Sequence, residues 1–255
     1  MDPFSRVGQA VFRMIERAGR LLIVIATTLQ WFVRPPYRFH ETFRQMEFVG
    51  VRSIFVITLA SMFTGGVLAL QTYYAFAIFN AESLVGATVA LSVTRELGPV
   101  MAALMVTARA GSAMAAELGT MRVTEQIDAL NTMAVDPIEY LFVPRIAASL
   151  VMVPVLTVYF DFLGILGGYL AGVNYLGIEP GPFMKSIVQF TEYQDMTHGL
   201  IKSAVFGLML AFISCYKGFF AGQGAEGVGR ATTEAVVLSS VHILVSDYFL
   251  TDLLY

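Results

Sequence analysis

The sequence predicts an all-α integral membrane protein with an N-terminal interfacial helix, five transmembrane helices and a short cytoplasmic helix between the second and third spans. Three observations support this fold class. The 255 residues are 56% hydrophobic and only 14% charged, whereas soluble domains carry about 25% charged residues. Five apolar stretches are long enough to cross a bilayer. The basic residues are distributed about those stretches with a strong bias toward one side of the membrane.

The composition also argues against some classes of function. The net charge is only −3, so there is no basic surplus that would indicate a nucleic-acid partner. The single cysteine, Cys215, rules out an internal disulfide. Four arginines interrupt the first 20 residues, which is unlike a cleavable signal peptide. Membrane insertion is therefore expected to rely on the later apolar segments.

Residues 1–45 form the first predicted unit, an amphipathic helix that lies in the membrane surface. Arginines recur there at near-helical spacing among apolar residues, at Arg13, Arg17 and Arg20. This pattern is typical of interfacial helices, and the Pro pair at 35–36 is expected to end the helix. In an alternative interpretation, residues 21–33 dip into the bilayer.

Each predicted span needs about 20 helical residues to cross ~30 Å of hydrocarbon. The five stretches that satisfy this lie near residues 51–79, 85–107, 141–174, 199–221 and 235–255. The first and third are longer than needed, so tilting or a helical extension beyond the lipid is expected. Residues 46–255 are therefore predicted to form one transmembrane domain.

The basic residues predict the topology. Of the 16 lysines and arginines, thirteen precede the first span, lie in the loops after the second and fourth spans, or lie at the span ends on that same side. Only Lys185 lies in the alternate loops, and Arg95 and Lys202 lie inside spans. Because basic residues favour the cytoplasmic side, the N-terminus is predicted to be cytoplasmic and the C-terminus to lie across the membrane.

Ionisable residues occur within the apolar spans. The set comprises Arg95, Glu96, Lys202 and Asp247, with Asp161 in the third span as a further member. A charge at the bilayer centre costs at least about 2.5 kcal/mol on insertion scales, so these side chains should face protein or water. The charges of the first four sum to zero, which suits a structural interhelical network. They equally suit the polar floor or gate of a cavity that takes a charged headgroup, and both interpretations remain open.

The outer end of the first span is rich in aromatic and aliphatic side chains between Leu68 and Phe79. An interfacial aromatic belt explains this composition. The alternative is the apolar wall of a pocket for acyl chains, since such sites are lined by these side chains.

Small residues recur in the third span, where Gly164, Gly168 and Gly172 form two overlapping G-x-x-x-G motifs. Such motifs allow the backbones of two helices to approach closely. We expect them to pack helices within one chain, in preference to forming a dimer.

The segment between the second and third spans is helix-prone and amphipathic, and it is too polar to insert and too small to be a domain. A short helix parallel to the membrane would present Glu125, Gln126 and Asp128 toward a soluble partner. A solvated connector is the alternative interpretation.

Constellations that carry catalysis are absent from the sequence. There is no G-x-x-x-x-G-K-[ST] motif for nucleotide phosphates. The three histidines lie in separate segments without metal-ligand spacing. The G-x-G-x-x-G match at 222–227 follows an apolar span and lacks the strand that a dinucleotide site requires. We therefore expect neither an enzyme nor a metal or cofactor site in this chain.

The central motifs resemble those of the MlaE (YrbE) permeases. The matching runs are RELGPV at 95–100, ARAGSA at 108–113, AELG at 116–119, TEQIDAL at 124–130, AVDP at 134–137, LIKSAVFG at 200–207 and GRATT at 229–233. The resemblance covers roughly residues 45–250, and the first 45 residues match only in character.

The resemblance implies an ABC transporter that moves glycerophospholipids between the inner and outer membranes of a Gram-negative cell and so maintains outer-membrane lipid asymmetry. It implies two permease copies, each bound by a cytoplasmic MlaF-like ATPase that holds ATP and Mg, with no cofactor in the permease. An MlaB-like STAS-domain protein would bind the ATPase, and an MlaD-like MCE-domain hexamer would cover the periplasmic face. A scaffold that merely anchors the MCE protein is the alternative, and the direction of transport stays open.

The resemblance also implies roles for particular residues. The segment 109–133 would be a coupling helix that docks on the ATPase, through Glu117, Arg122, Thr124, Glu125, Gln126 and Asp128. The first span would contact the lipid tails through Leu68, Ala75, Phe76 and Phe79. The charged positions in the cavity would be Arg95, Glu96, Lys202 and Asp247.

Overall fold

The computed structural model describes residues 3–35 and 38–254, with the side chains of the N-terminal helix described from Phe12 onward apart from Arg13 and Arg17. The side chains of those two arginines, and Pro36, carried part of the prediction for the N-terminal unit and lie outside the described part of the chain. Within the described part of the chain the structure is helical and contains no strand. The helices are α1 (Pro3–Val33), α2 (Phe39–Val49), α3 (Ile54–Ala77), α4 (Val85–Ser92), α5 (Gly98–Val106), α6 (Ser112–Val123), α7 (Gln126–Thr132), α8 (Val143–Tyr169), α9 (Pro180–Phe190), α10 (Tyr193–Phe219) and α11 (Gly224–Leu254).

Five helical stretches in the described residues are long and apolar enough to cross a membrane. They are Phe39–Ala77, Glu82–Val123, Ile138–Tyr175, Tyr193–Phe219 and Gly224–Leu254. Several consist of successive helices joined by a 3₁₀ or π-helical turn. This confirms the predicted fold class, an all-α integral membrane protein with five spans.

Helix α8 lies at the centre of the bundle and packs against α3, α5 and α10. Its contact with α3 depends on glycine, because a Cβ atom on Gly65 would lie 1.8 Å from the carbonyl oxygen of Gly164. A Cβ on Gly167 would likewise lie 2.3 Å from the carbonyl oxygen of Met62. The glycine motif of the third span therefore joins two helices of one chain, as predicted, since only glycine permits this backbone approach.

Helix α1 is attached to the bundle at its C-terminal end. Its Trp31 side chain donates a hydrogen bond from Nε1 to Asp136 Oδ2 at 2.9 Å. Just beyond the helix, Arg38 forms an ion pair with Glu139 at 3.2 Å and lies over the ring of Tyr140. Both acceptors belong to the segment that leads from α7 into α8, so the N-terminal helix contacts the segment between the second and third spans directly.

The second span extends further than the sequence indicated. The apolar stretch was predicted to end near 107, but the helix continues through a π-helical turn, Thr107–Gly111, and α6 to Val123. Residues 112–123 are rich in alanine and other strong helix formers, which favours this continuation. The helix ends where Glu125 adopts a positive φ of 59°, and only α7 remains as a separate short helix. The predicted coupling segment, 109–133, is thus divided between the extended second span and the short helix α7, with a corner at Glu125.

Helix α9 was not predicted; the sequence analysis treated its residues as a loop. Pro180 lies in its first turn, a position where the missing N–H has no helical partner to lose. Phe183 and Ser186 are its buried residues, and the Ser186 hydroxyl accepts a hydrogen bond from the backbone N–H of Ala87. The helix thereby caps the outer end of the second span.

Candidate functional site

The charged site begins with a distortion of the second span. Residues Val93–Leu97 form a π-helical turn immediately before Gly98 and Pro99. Proline has no N–H, so the carbonyl four residues earlier, that of Arg95, loses its α-helical donor. Lys202 Nζ of α10 donates to that carbonyl oxygen at 3.2 Å. The two helices meet closely at Gly199: a Cβ atom there would lie only 2.5 Å from the carbonyl oxygen of Thr94.

Lys202 is the centre of the site. Its side chain is fully buried, and its ammonium nitrogen lies 2.8 Å from Glu96 Oε2 and 3.2 Å from Asp247 Oδ1. It also donates to Thr251 Oγ1 at 2.7 Å. The second, fourth and fifth spans are thus joined through one ammonium group. A buried cation requires such compensation, since an unpaired charge in apolar surroundings is very costly.

Arg95 has a partner that the sequence analysis missed. Its Nε lies 2.7 Å from Asp195 Oδ1, whose side chain is only 3% exposed. The other oxygen of Asp195 accepts a hydrogen bond from the backbone N–H of Glu192 and so helps to cap α10. Asp195 lies just ahead of the predicted fourth span, where a helix-capping aspartate is ordinary. Thr251, in the last turn of α11, is a second residue of the site that was not predicted from the sequence.

The structure therefore brings together all four predicted charged residues, Arg95, Glu96, Lys202 and Asp247, and adds Asp195 and Thr251. Arg95 and Glu96 have side chains 40% and 39% exposed, whereas that of Lys202 is 0% exposed. Asp161 is buried elsewhere: a Cβ on Gly98 would lie 1.8 Å from its Oδ1, and that oxygen has no hydrogen-bond partner among the described residues.

An apolar groove of about 420 Å³ adjoins the charged site. Its lining residues are Phe63, Thr64, Val67, Leu68, Gln71 and Leu97. The groove runs along α3, and Leu97, which follows Glu96 directly in the chain, places one edge of it on the π-helical turn of the charged site. A polar end and an apolar channel at one place form the arrangement that an amphipathic molecule requires.

The predicted tail contacts fall at different places along α3. Leu68 lines the groove, and Ala75 lies two helical turns further along the same face of α3, about 10 Å away. Phe76 is half-buried and packs against the hydrophobic core. Phe79 lies beyond the end of the helix, 76% exposed. Ala75, Phe76 and Phe79 do not line this groove, and their role as tail contacts remains a prediction.

The predicted coupling residues surround the corner between α6 and α7. Arg122 forms an ion pair with Asp128 at 2.9 Å across this corner, and Thr124 Oγ1 donates to the carbonyl oxygen of Thr120. Glu125 and Gln126 are exposed, and the buried side chain of Ile127 anchors α7.

Glu117 connects this corner to the third span. One of its carboxylate oxygens lies 2.9 Å from Arg145 Nη2 of α8. Glu117, Gln126 and Arg145 also line a cavity of about 730 Å³ between α2, the corner and the start of α8. The exposed corner thus has a cavity beside it, and the Glu117–Arg145 ion pair connects the extended second span to the third span.

Five membrane-length helices in the described residues, with an ionic cluster between three of them, define a multi-pass membrane protein. Comparison with known proteins makes the assignment specific. The family model described as "Permease MlaE" matches residues 42–253. A "Probable ABC transporter permease protein" of Rickettsia bellii is 44% identical over 98% of this chain and 97% of its own length. The chain belongs to the MlaE permease family and is an ABC transporter permease.

Two further relatives show how widely the family extends. The "Intermembrane phospholipid transport system permease protein MlaE" of Haemophilus influenzae is 38% identical over 98% of this chain and 97% of its own length. The chloroplast protein TRIGALACTOSYLDIACYLGLYCEROL 1 of Arabidopsis thaliana is 34% identical over 99% of this chain and 72% of its own length. Membership of an ABC permease family implies a partner ATPase.

Proposed function

We propose that this chain is the permease subunit that moves glycerophospholipids between the inner and outer membranes and so maintains the lipid asymmetry of the outer membrane. The observation that carries the proposal is that two charged residues, Arg95 and Glu96, directly precede Leu97, which lines the apolar groove together with Leu68. A phospholipid has the same two-part chemistry, a charged headgroup joined to apolar chains. The name of the Haemophilus relative, a phospholipid transport permease, supports the same substrate class.

The assembly that we propose contains two copies of the chain in the inner membrane of a Gram-negative cell. The bias of basic residues supports a cytoplasmic N-terminus and a periplasmic C-terminus. An MlaF-like ATPase would bind the cytoplasmic face and an MlaB-like STAS-domain protein would bind the ATPase. An MlaD-like MCE-domain hexamer would receive or deliver lipid on the periplasmic face. ATP and Mg would be bound by the ATPase, and the permease would hold no cofactor.

Coupling would pass through the corner between α6 and α7. Helix α6 continues the second span, which carries the π-helical turn of the charged site. The Glu117–Arg145 ion pair connects the same helix to the third span. An ATPase that binds the corner differently in its two nucleotide states would therefore shift the balance between two arrangements of these spans, by as much as its affinities for them differ.

Photo-crosslinking tests whether lipid enters the groove. A photoreactive amino acid is placed at Leu68, and the complex is purified in detergent until loosely bound lipid is removed. Val155, an exposed position on α8, serves as the control. The proposal predicts that position 68 captures phospholipid and position 155 does not. A scaffold that only anchors the MCE protein would capture lipid at neither position, and this result would exclude lipid transport through the groove.

A further inference from the structure

We propose that the charged site selects phospholipids whose headgroup carries its own positive charge, such as phosphoethanolamine, over headgroups that carry only a negative charge. This inference rests on the proposed function, and it adds the class of headgroup. It follows from which charges are accessible and from the total charge of the site.

Lys202 is not available to a headgroup. Its side chain is 0% exposed, and its ammonium nitrogen already donates to the Arg95 carbonyl oxygen, to Glu96 and to Thr251. Asp247 lies at 3.2 Å from the same nitrogen. Lys202 therefore serves to hold the spans and the Glu96 carboxylate in place, and a phosphate group must find its cation elsewhere.

The two most accessible charges are one cation and one anion, since the Asp247 side chain is only 20% exposed. Arg95 and Glu96 are consecutive residues of the π-helical turn, and their side chains are 40% and 39% exposed. A guanidinium group is well suited to a phosphate, and a carboxylate is the natural acceptor for an ammonium group. A zwitterionic headgroup places these two groups on one short chain, so that phosphate can meet Arg95 while the ammonium group meets Glu96.

The total charge of the site adds to this preference. The connected side chains include two cations, Arg95 and Lys202, and three carboxylates, Glu96, Asp195 and Asp247. Asp195 is buried against Arg95 and already offsets much of its positive charge. A headgroup with a net negative charge would therefore enter a site with an excess of negative charge, and in low-dielectric surroundings that repulsion is poorly screened. A zwitterion adds no net charge.

The position of the acyl chains is consistent with this arrangement. Leu97 follows Glu96 in the same turn and lines the apolar groove with Leu68 and Val67. A headgroup held by Arg95 and Glu96 would therefore lie on the same π-helical turn as a leucine that lines the groove.

Lipid competition on the complete purified complex tests the inference. The three probes have identical acyl chains: phosphatidylethanolamine, its N-acetyl derivative, which keeps the phosphate but loses the ammonium charge, and phosphatidylglycerol. Retained lipid is measured by mass spectrometry. The wild-type complex is expected to retain phosphatidylethanolamine about tenfold over each of the other two, which corresponds to about 1.4 kcal/mol.

Two variants locate the preference. Glu96→Gln removes the acceptor for the ammonium group and is expected to bring the three lipids within about twofold of one another. Asp195→Asn keeps Glu96 in place but removes one negative charge, and it is expected to raise the retention of phosphatidylglycerol several-fold. Glu234→Gln, on a cytoplasmic surface pair with Lys217, is the control that leaves the preference unchanged.

The outcomes separate the two proposals. Equal retention of the three lipids by the wild-type complex, or an unchanged preference in Glu96→Gln, would overturn the headgroup inference and leave the lipid permease intact. A complex that retains none of the three lipids would overturn both. Retention that follows the ammonium group and disappears in Glu96→Gln supports the inference.

Discussion

Replacement of Lys202 by methionine tests the energetic role of the charged site. Methionine fits the same buried space but removes the ammonium group that joins Glu96, Asp247 and Thr251. Removing one partner of a buried ion pair typically costs about 3–5 kcal/mol, because the remaining charge is left uncompensated. Glu96 is 39% exposed and can regain some solvent, so we expect a loss of about 3 kcal/mol, at the lower end of that range.

The measurement is the free energy of unfolding in mixed micelles, followed by circular dichroism as a denaturing detergent is added. Lys217→Met is the matched control, because Lys217 forms an ion pair of similar length with Glu234 at a partly exposed position. A pair of that kind contributes about 0–1 kcal/mol. A triple variant that also carries Glu96→Gln and Asp247→Asn should regain more than half of the stability lost in Lys202→Met. If Lys202→Met costs no more than Lys217→Met, the buried network does not hold the spans together and the reasoning fails.

Three further predictions concern the glycine packing of α3, the corner between α6 and α7, and the attachment of α1. Gly65→Ala should destabilise the bundle by about 1–3 kcal/mol, measured in the same titration. Gly66→Ala should be tolerated, because the nearest atom lies 3.7 Å from the added Cβ. Equal effects of the two substitutions would refute the close helix crossing. Glu125→Lys should abolish copurification of the ATPase while the protein still inserts, and full ATPase binding and transport by that variant would refute the coupling assignment. Trp31→Phe should remove the hydrogen bond to Asp136 and weaken the docking of α1 by about 0.5–1.5 kcal/mol. The loss should be seen as faster amide hydrogen exchange in α1, and an unchanged exchange rate would contradict this attachment.

The features that the sequence predicted well are those encoded locally. Five apolar stretches give five membrane-length helices, because an apolar segment that crosses the bilayer alone must satisfy its backbone hydrogen bonds internally, as a helix does. Four of the five ionisable residues predicted within the spans lie together in the structure, since each needs a partner away from lipid, whereas Asp161 is buried elsewhere. The glycines of the third span predicted a close helix contact, although only the structure identifies Gly65 as the residue that meets them.

The features that the sequence did not predict depend on contacts between distant parts of the chain. The sequence predicts for Asp195 only the role of a helix cap. Its ion pair with Arg95 depends on the crossing of α10 and the π-helical turn at Gly199. Thr251 joins the site across 49 residues from Lys202. Helix α9 is short, and its buried face is defined by contact with the second span and not by a hydrophobic pattern of membrane length. The extension of the second span to Val123 has too many polar residues for a hydropathy criterion to detect.

Transport by the reconstituted complex, assembled from this chain and the proposed ATPase, STAS-domain and MCE-domain partners, tests the central claim most directly. Labelled phospholipid is followed between donor and acceptor membranes with and without ATP, for the wild-type chain and for Leu68→Trp, which fills the groove beside Leu97. We predict ATP-dependent lipid movement by the wild-type complex, and loss of movement in the variant while ATP hydrolysis continues. Lipid movement that is unchanged in Leu68→Trp, or a wild-type complex that hydrolyses ATP without moving lipid, would contradict the account.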